Sequence, residues 1–293
     1  MLSPEKSPLH ILRSQDRASL YYEQSRAAEC REVLENGQAT GIVLRSWTGK
    51  ESAELLSIFA ELPLREIVVL NDILVEPKEW YRCSQITYLQ IGESKARLDT
   101  TRFPNLRDLR GNWSKKLVLP EPNSSLRGLM LYGYKTHSRT LKEIPKYPAL
   151  TRLEFVRGNL VLLDGVEEFP SLDFLDLAYM RALVDVSAAI GCSARQIGFQ
   201  NCPHVKGIEA LARCSNLNFL RLSKCPPMKS LKFVHQSKTL RKLSFVHTTI
   251  EDGDMTPLFD LEYAGFMDKR TYSHSAAEVK EQIRCRQIGR SDS

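Results

Sequence analysis

Apolar residues along this chain recur in a fixed six-residue pattern, L-x-x-L-x-L, with Ile, Val, Phe or Ala standing in for Leu. The clearest copies are Leu126-x-x-Leu129-x-Leu131, Leu172-x-x-Leu175-x-Leu177 and Leu217-x-x-Leu220-x-Leu222. Close variants are Leu150-Leu153-Phe155, Leu240-Leu243-Phe245, Ile86-Leu89-Ile91 and Leu64-Ile67-Val69. More worn copies are Ala39-Ile42-Leu44, Leu106-Leu109-Gly111, Ala194-Ile197-Phe199 and Leu261-Ala264-Phe266. Their first positions fall at 39, 64, 86, 106, 126, 150, 172, 194, 217, 240 and 261, so the step stays within 20–25 residues. One copy alone says little; eleven at a near-constant step are an internal repeat.

Strand geometry explains the spacing. Side chains of a strand alternate between faces, so the fourth and sixth positions point inward together while their neighbours point out. The first position enters the core from the preceding bend. A single such strand cannot bury its apolar side, but stacked copies build a continuous core. With adjacent strands about 4.8 Å apart, eleven of them predict a sheet roughly 50 Å long. The segment before the strand repeats as well, in Phe103-Pro104-Asn105-Leu106, Tyr147-Pro148-Ala149-Leu150 and Phe169-Pro170-Ser171-Leu172, and without proline in Cys214-Ser215-Asn216-Leu217. Proline biases the residue before it to extended geometry and closes the segment ahead of the next strand.

These residues resemble the leucine-rich-repeat family over 39–268, most of the chain. The resemblance implies an α/β solenoid of about eleven repeats, with a curved parallel β-sheet on the concave side and short helices or turns on the convex side. The family usually places Asn or Cys eight residues after the first Leu, bonding neighbouring loops. Here Cys202 and Cys225 stand there, but Met180, Gly158, Tyr134, Ser114 and Ser94 occupy it elsewhere. The ladder is worn, which predicts an irregular solenoid. Cys192 and Cys214 share a second repeat position, so these four cysteines read as two stacked core columns. The total of seven is odd and no Cys-x-x-Cys occurs, which argues against a disulfide framework or a zinc site.

An open array must cover its terminal cores. Residues 1–38 are expected to form an N-terminal helical cap, because 17–36 are rich in helix formers and Gly37 is a suitable stop. A partner-binding helix is the alternative for that segment. Residues 269–293 are expected to hold a capping helix and a disordered tail beyond about Arg286. Ser275-Ala-Ala-Glu278 has capping-box spacing, with Ala276, Val279 and Ile283 on one helical face. The stretch Asp268-Lys269-Arg270-Thr271-Tyr272-Ser273-His274 resembles an ending found in stand-alone bacterial repeat proteins.

Composition narrows the class. The 293 residues are 42% hydrophobic and 26% charged, ordinary for a folded globular chain. No apolar run is long enough to span a bilayer, and Met1-Leu2-Ser3-Pro4-Glu5-Lys6 do not lead into the apolar core of a secretory signal. A cytoplasmic, reducing location is therefore expected. The net charge of +6 is uneven: 101–158 hold twelve Lys/Arg against four Asp/Glu, and 224–249 hold six against none. Residues 250–268 reverse this, with six acidic side chains and no basic ones. Such blocks steer charged partners, or merely solvate a surface.

Function is expected on the concave face, at the outward strand positions and the residues just past them. These are Tyr88, Arg107, Asp108, Arg110 and Trp113; Arg127, Met130 and Tyr132; Arg152, Glu154 and Arg157; Asp173, Phe174, Asp176 and Tyr179; and Arg195, Phe219, Arg221 and Arg241. Arg, Tyr and Trp are enriched at interface hot spots because they offer large contact area with polar tips. No Gly-x-Gly-x-x-Gly, P-loop, His-Glu-x-x-His or Gly-x-Ser-x-Gly occurs, so no catalytic motif, cofactor or metal is expected. Arg107, Arg110, Arg127, Arg152 and Arg157 with Trp113 and Tyr132 could track a nucleic acid, but Asp108, Glu154, Asp173 and Asp176 share that face and would repel a phosphate backbone. The expected function is a non-catalytic protein-binding module. Its specific form is an inhibitor or immunity protein that occludes a cognate toxin or enzyme bearing an acidic patch. A scaffold, adaptor or host-interacting repeat protein is the alternative.

Overall fold

A computed structural model describes residues 7–14, 16–122 and 124–291. The opening six residues, which carry the expectation of no secretory signal, lie outside them. The chain forms two compact units, Met1–Gly128 and Leu129–Ser293.

The first unit opens with a hairpin. Strand β1 (Ile11–Ser14) pairs antiparallel with β2 (Arg17–Tyr21), Ile11 opposite Leu20 and Ser14 opposite Arg17. The helix expected over 17–36 is therefore confined to its second half. A 3-10 turn at Gln24–Arg26 leads into α1 (Ala27–Glu35), which buries Cys30 and Leu34. The reason is tertiary: Leu20 joins an inner column with Ile42, Ile67, Leu89 and Leu109, and the burial gained there overrides a weak local preference for helix.

Strands β3 (Gly41–Leu44), β4 (Glu66–Val69), β6 (Tyr88–Ile91) and β9 (Asp108–Asn112) then add in parallel. Behind them the returning chain forms two side ladders, β5 (Asp72–Ile73) with β7 (Glu93–Ser94) and β8 (Leu98–Asp99) with β10 (Leu117–Val118). Helix α2 (Ala53–Glu61) is capped by Ser52, whose hydroxyl accepts the Leu55 N–H at 3.2 Å. It buries Leu55, Ile58 and Phe59. Phe59 meets Trp47 and Trp80 at centroid separations of 5.5 and 6.1 Å, and the two indoles lie 5.0 Å apart. All three rings are fully buried, so this unit has an aromatic core.

The second unit is more regular. Strands β11 (Gly128–Tyr134, its first residue closing the first unit), β12 (Arg152–Gly158), β13 (Phe174–Ala178), β14 (Gln196–Gln200), β15 (Phe219–Ser223), β16 (Lys242–Val246) and β17 (Tyr263–Phe266) follow in chain order. Each of the eleven motifs thus yields a strand beginning two residues after its first apolar position. From β12 to β16 the register keeps like with like: Leu153, Leu175, Ile197, Leu220 and Leu243 form one inner column, and Phe155, Leu177, Phe199, Leu222 and Phe245 the next. The returns are single 3-10 helices, such as Ile208–Arg213 and Lys232–Gln236.

The strand exits repeat too. Arg157, Tyr179, Asn201, Lys224 and His247, seven residues after each motif begins, all have φ between 52° and 60°. Gly133 occupies the same place one repeat earlier, with φ 71°. Plain alternation would turn these side chains into the core. The left-handed residue shifts the phase, so its own side chain points out and the next one points in, burying Met180, Cys202, Cys225 and Thr248. Tyr179, Asn201 and Lys224 each donate their backbone N–H to the last residue of the following strand, at 2.7, 2.7 and 3.0 Å. A non-glycine residue in this conformation costs about 1 kcal/mol, less for Asn.

The worn ladder still bonds. The Cys202 and Cys225 thiols donate to the Leu177 and Phe199 carbonyls, both at 3.4 Å. Asn159 stands one place late and brackets the Thr136 backbone, donating to its carbonyl at 2.8 Å and accepting its N–H at 3.0 Å. All seven cysteines are free, and only Cys285 is exposed. Burial pushes the Cys83 and Cys192 thiols up to about 11, and Cys202 and Cys214 to about 12.

At the C-terminal end, the Ser275 hydroxyl accepts the Glu278 N–H at 3.3 Å while Glu278 accepts the Ser275 N–H at 2.7 Å, a complete capping box. Helix α3 (Ala276–Ser291) buries Val279 and Ile283. A disordered tail was expected from about Arg286; the helix instead runs to Ser291. Arg286 is held by an ion pair to Asp260 and lies over the Phe259 ring.

Candidate functional site

The sheet face opposite the core carries the residues expected to bind a partner, and the two units equip it differently.

In the first unit, Tyr88 is 93% buried rather than presented, since its exposure is 7%. It packs with Val43, Val68 and the half-buried Tyr21, and the Arg17 guanidinium lies 3.8 Å above its ring. Arg110 approaches the same ring from 5.9 Å. Beside this patch a cavity of about 810 Å³ is lined by Arg17, Arg65, Glu66, Tyr88, Arg107 and Asp108, among others. Glu66 is buried but satisfied: Ser19 donates to one carboxylate oxygen at 2.5 Å and Thr40 to the other at 3.2 Å. Ser19 reaches Glu66 across the intervening strand because residue 41 is glycine; a Cβ there would lie 2.4 Å from the Glu66 Cβ. Trp113 is half-buried and Arg127 exposed.

In the second unit, most of the expected arginines are already neutralised by their neighbours. Arg152 donates to Glu154 and Arg195 to Asp173, each at 2.5 Å, and Arg241 lies 3.8 Å from Glu262. Arg221 donates to Asp176 at 2.8 Å across a whole strand. Gly198 makes room for it; a Cβ at 198 would come 2.0 Å from the Asp176 carboxylate. Burial pushes the Asp176 carboxyl above its usual range, and Arg221 opposes the shift. Phe174 receives two guanidinium groups, Arg152 at 4.0 Å and Arg221 at 5.6 Å from its ring. Phe219 makes an edge contact with Tyr263 at 6.2 Å. Tyr132 and Tyr179 stand out from this lattice, 42% and 44% exposed.

The strand-exit row differs in kind. Arg157, Tyr179, Arg181 and Asn201, with Gly158, line a cavity of about 520 Å³ that contains no carboxylate. The Arg157 and Arg181 guanidinium groups are exposed and form no ion pair with the described residues. Lys224 and His247 extend the row, also exposed. The sequence pattern identified Arg157 and Tyr179 but omitted Arg181, Asn201 and Lys224. It also omitted Arg17 and Glu66 of the first unit. A signal was present: five polar residues at one repeat position where alternation calls for apolar ones.

Among the described residues no group of His, Cys, Asp and Glu could hold a metal ion, and no helix is long and apolar enough to cross a membrane. The nearest approach to a nucleophile beside a base is Ser273 with His274, at 2.9 Å. That hydroxyl also accepts the Met255 N–H at 2.9 Å, and the Ser273 N–H donates to Gly253, so the serine braces a loop.

Repeats of 20–25 residues, one parallel strand each, inward Leu/Ile/Phe columns and 3-10 returns define a leucine-rich-repeat solenoid of the α/β class. No protein-family model matches the chain, nor does any curated protein. Among solved structures it is similar to an internalin from Listeria monocytogenes, at 13% identity and a TM-score of 0.47, over 82% of this chain and 85% of that one. It is also similar to PEPR1 in complex with AtPEP1, at 13% identity and a TM-score of 0.33. That match covers 85% of this chain and 44% of the other. At 13% identity neither says what this chain binds.

Proposed function

We propose that this protein is a non-catalytic binding module for another protein, acting through the open face of its sheet. The observation that carries this is the exposure of Tyr132 and Tyr179, each more than 40% open to solvent, with Tyr179 lining a cavity together with Arg157 and Arg181. Large aromatic and arginine side chains held on a rigid scaffold supply contact area at low entropic cost. The finer form of the proposal is an inhibitor that occludes one partner, an immunity protein for a toxin being the specific case. It is supported by the lack of any nucleotide, metal or nucleophile motif in the sequence, which makes binding itself the output. Cytoplasmic residence belongs to the same proposal, supported by the free thiols.

The test is recovery of a partner on the full chain, its reconstitution from pure components, and assay of its activity at saturation. Tyr132→Ala with Arg152→Glu should weaken the pure complex at least about tenfold, the loss of one to two hot-spot contacts. An intact complex with the double variant would refute the open-face site. A saturated partner that keeps its activity would replace inhibition by scaffolding.

A further inference from the structure

We infer that the strand-exit row of the second unit, Arg157–Tyr179–Asn201–Lys224 with Arg181, is a docking strip for an extended acidic segment of a partner protein; this rests on the protein-binding proposal and deepens it. Two independent observations carry it.

The first is the conformation. A strand exit that needs only a left-handed residue is served most cheaply by glycine or asparagine, as at Gly133 and Asn201. Arg157, Tyr179, Lys224 and His247 accept strain at the same position. Their side chains point outward and all four are exposed, so burial of the side chain is not what selects them. Strain repeated at exposed, bulky polar residues marks side chains kept for an external contact.

The second is the charge balance. On the strands themselves, Arg152, Arg195, Arg221 and Arg241 face carboxylates of this chain. At the exits, Arg157, Tyr179 and Arg181 border the 520 Å³ cavity, with no carboxylate in its lining. A partner carboxylate entering there would meet two guanidinium groups free to form bidentate bonds, with an exposed ring to cover its methylene stem. Successive exits follow the register of β12 to β16, so the row from Arg157 to Lys224 extends over roughly 14 Å. That is the length of about four residues of extended chain.

The test uses the full chain with fluorescein-labelled octaglutamate as the probe, and a twelve-nucleotide oligothymidylate beside it, in low-salt buffer. Octaglutamate should bind saturably, and Arg157→Gly with Arg181→Ser should weaken it at least about tenfold. Arg157→Gly relieves the left-handed strain, so the melting temperature should hold or rise while binding falls, which separates loss of contact from loss of fold. The control, Arg213→Ser with Lys238→Ser, removes the same charge from segments leading into β15 and β16 and should change binding less than about twofold. Equal losses in both double variants would overturn the strip in favour of diffuse attraction. Tighter binding of the oligonucleotide would overturn it in favour of nucleic acid. Absence of octaglutamate binding would also overturn it, while leaving the protein-binding proposal to its own test of partner recovery and reconstitution.

Discussion

The two units build one repeat in two ways. In the first, the strands are followed by side ladders and by α2, and an aromatic cluster of Trp47, Phe59 and Trp80 fills the space behind them. Among its described residues only glycines have positive φ. In the second, columns of Leu, Ile and Phe and 3-10 returns suffice, and each strand from β12 to β16 exits through a left-handed residue whose side chain points outward. The first unit's face is self-occupied, with Tyr88 beneath Arg17 and Glu66 locked by two hydroxyls. The second unit's face is neutralised along its strands and left cationic at their exits. A shared core pattern therefore leaves the exposed positions free to diverge, and it is there that the units acquire different chemistry.

The contrast can be broken most severely at the aromatic cluster. Trp80→Ala should cost about 3–5 kcal/mol, since a buried indole leaves a cavity that the two remaining rings cannot close. Urea unfolding followed by intrinsic fluorescence would measure it, and a cost under about 1 kcal/mol would mean the cluster does not support the fold.

A smaller effect should separate two glycines that play one role. Gly41→Ala sets a methyl 2.4 Å from the Glu66 Cβ and 3.0 Å from its carbonyl oxygen, atoms fixed by the backbone. About 1–3 kcal/mol should be lost. Gly198→Ala meets the ends of Asp176 and Arg221, which can swing away, so under about 1 kcal/mol should go with the ion pair. Equal costs would show that the two bridges are built alike after all.

Acidity sharpens the second bridge. Burial raises the Asp176 carboxyl, so its protonated form is favoured on folding: its contribution is full below the unfolded value and is lost as pH rises through the folded one. Arg221→Ala removes the compensating charge and should lower the melting temperature most at neutral pH, with the deficit shrinking on acidification. Asp176→Asn should show neither the deficit nor its pH dependence. A deficit for Arg221→Ala that grows in acid would reverse the assignment.

The smallest effect lies at the exits. Lys224→Gly should change stability by no more than a few tenths of a kcal/mol, and in the favourable direction, because relief of strain slightly exceeds the added freedom of the unfolded chain. Calorimetry would check it; a loss above about 1 kcal/mol would mean that the lysine makes contacts within the fold.

Period-two alternation made all eleven strands legible, since Leu/Ile/Phe at fixed offsets have no other way to share a core. The hairpin at residues 11–21 was not, because Arg17–Tyr21 is short and stands before helix formers; its fate depended on Leu20 finding Ile42. The residues of the open face were legible as a set, but their state was not. Arg221 meets a carboxylate two strands away only because Gly198 lies between, and no spacing rule contains that. The cationic exits could have been read, because Arg157, Tyr179, Asn201, Lys224 and His247 interrupt the alternation at one fixed place.

The buried thiols make the native chain behave, towards an alkylating reagent, as a protein with a single cysteine. Cys285 on α3 is exposed, while Cys30 and Cys83 lie inside the first unit and Cys192, Cys202, Cys214 and Cys225 inside the second. Each remaining thiol can react only when its own surroundings open, so the order in which mass adducts accumulate under native conditions is a clock of local opening. Two sets of adducts appearing together would describe one cooperative body. Sets arriving at separate rates would describe two, each with its own lifetime, read from the wild-type chain without any label being engineered into it.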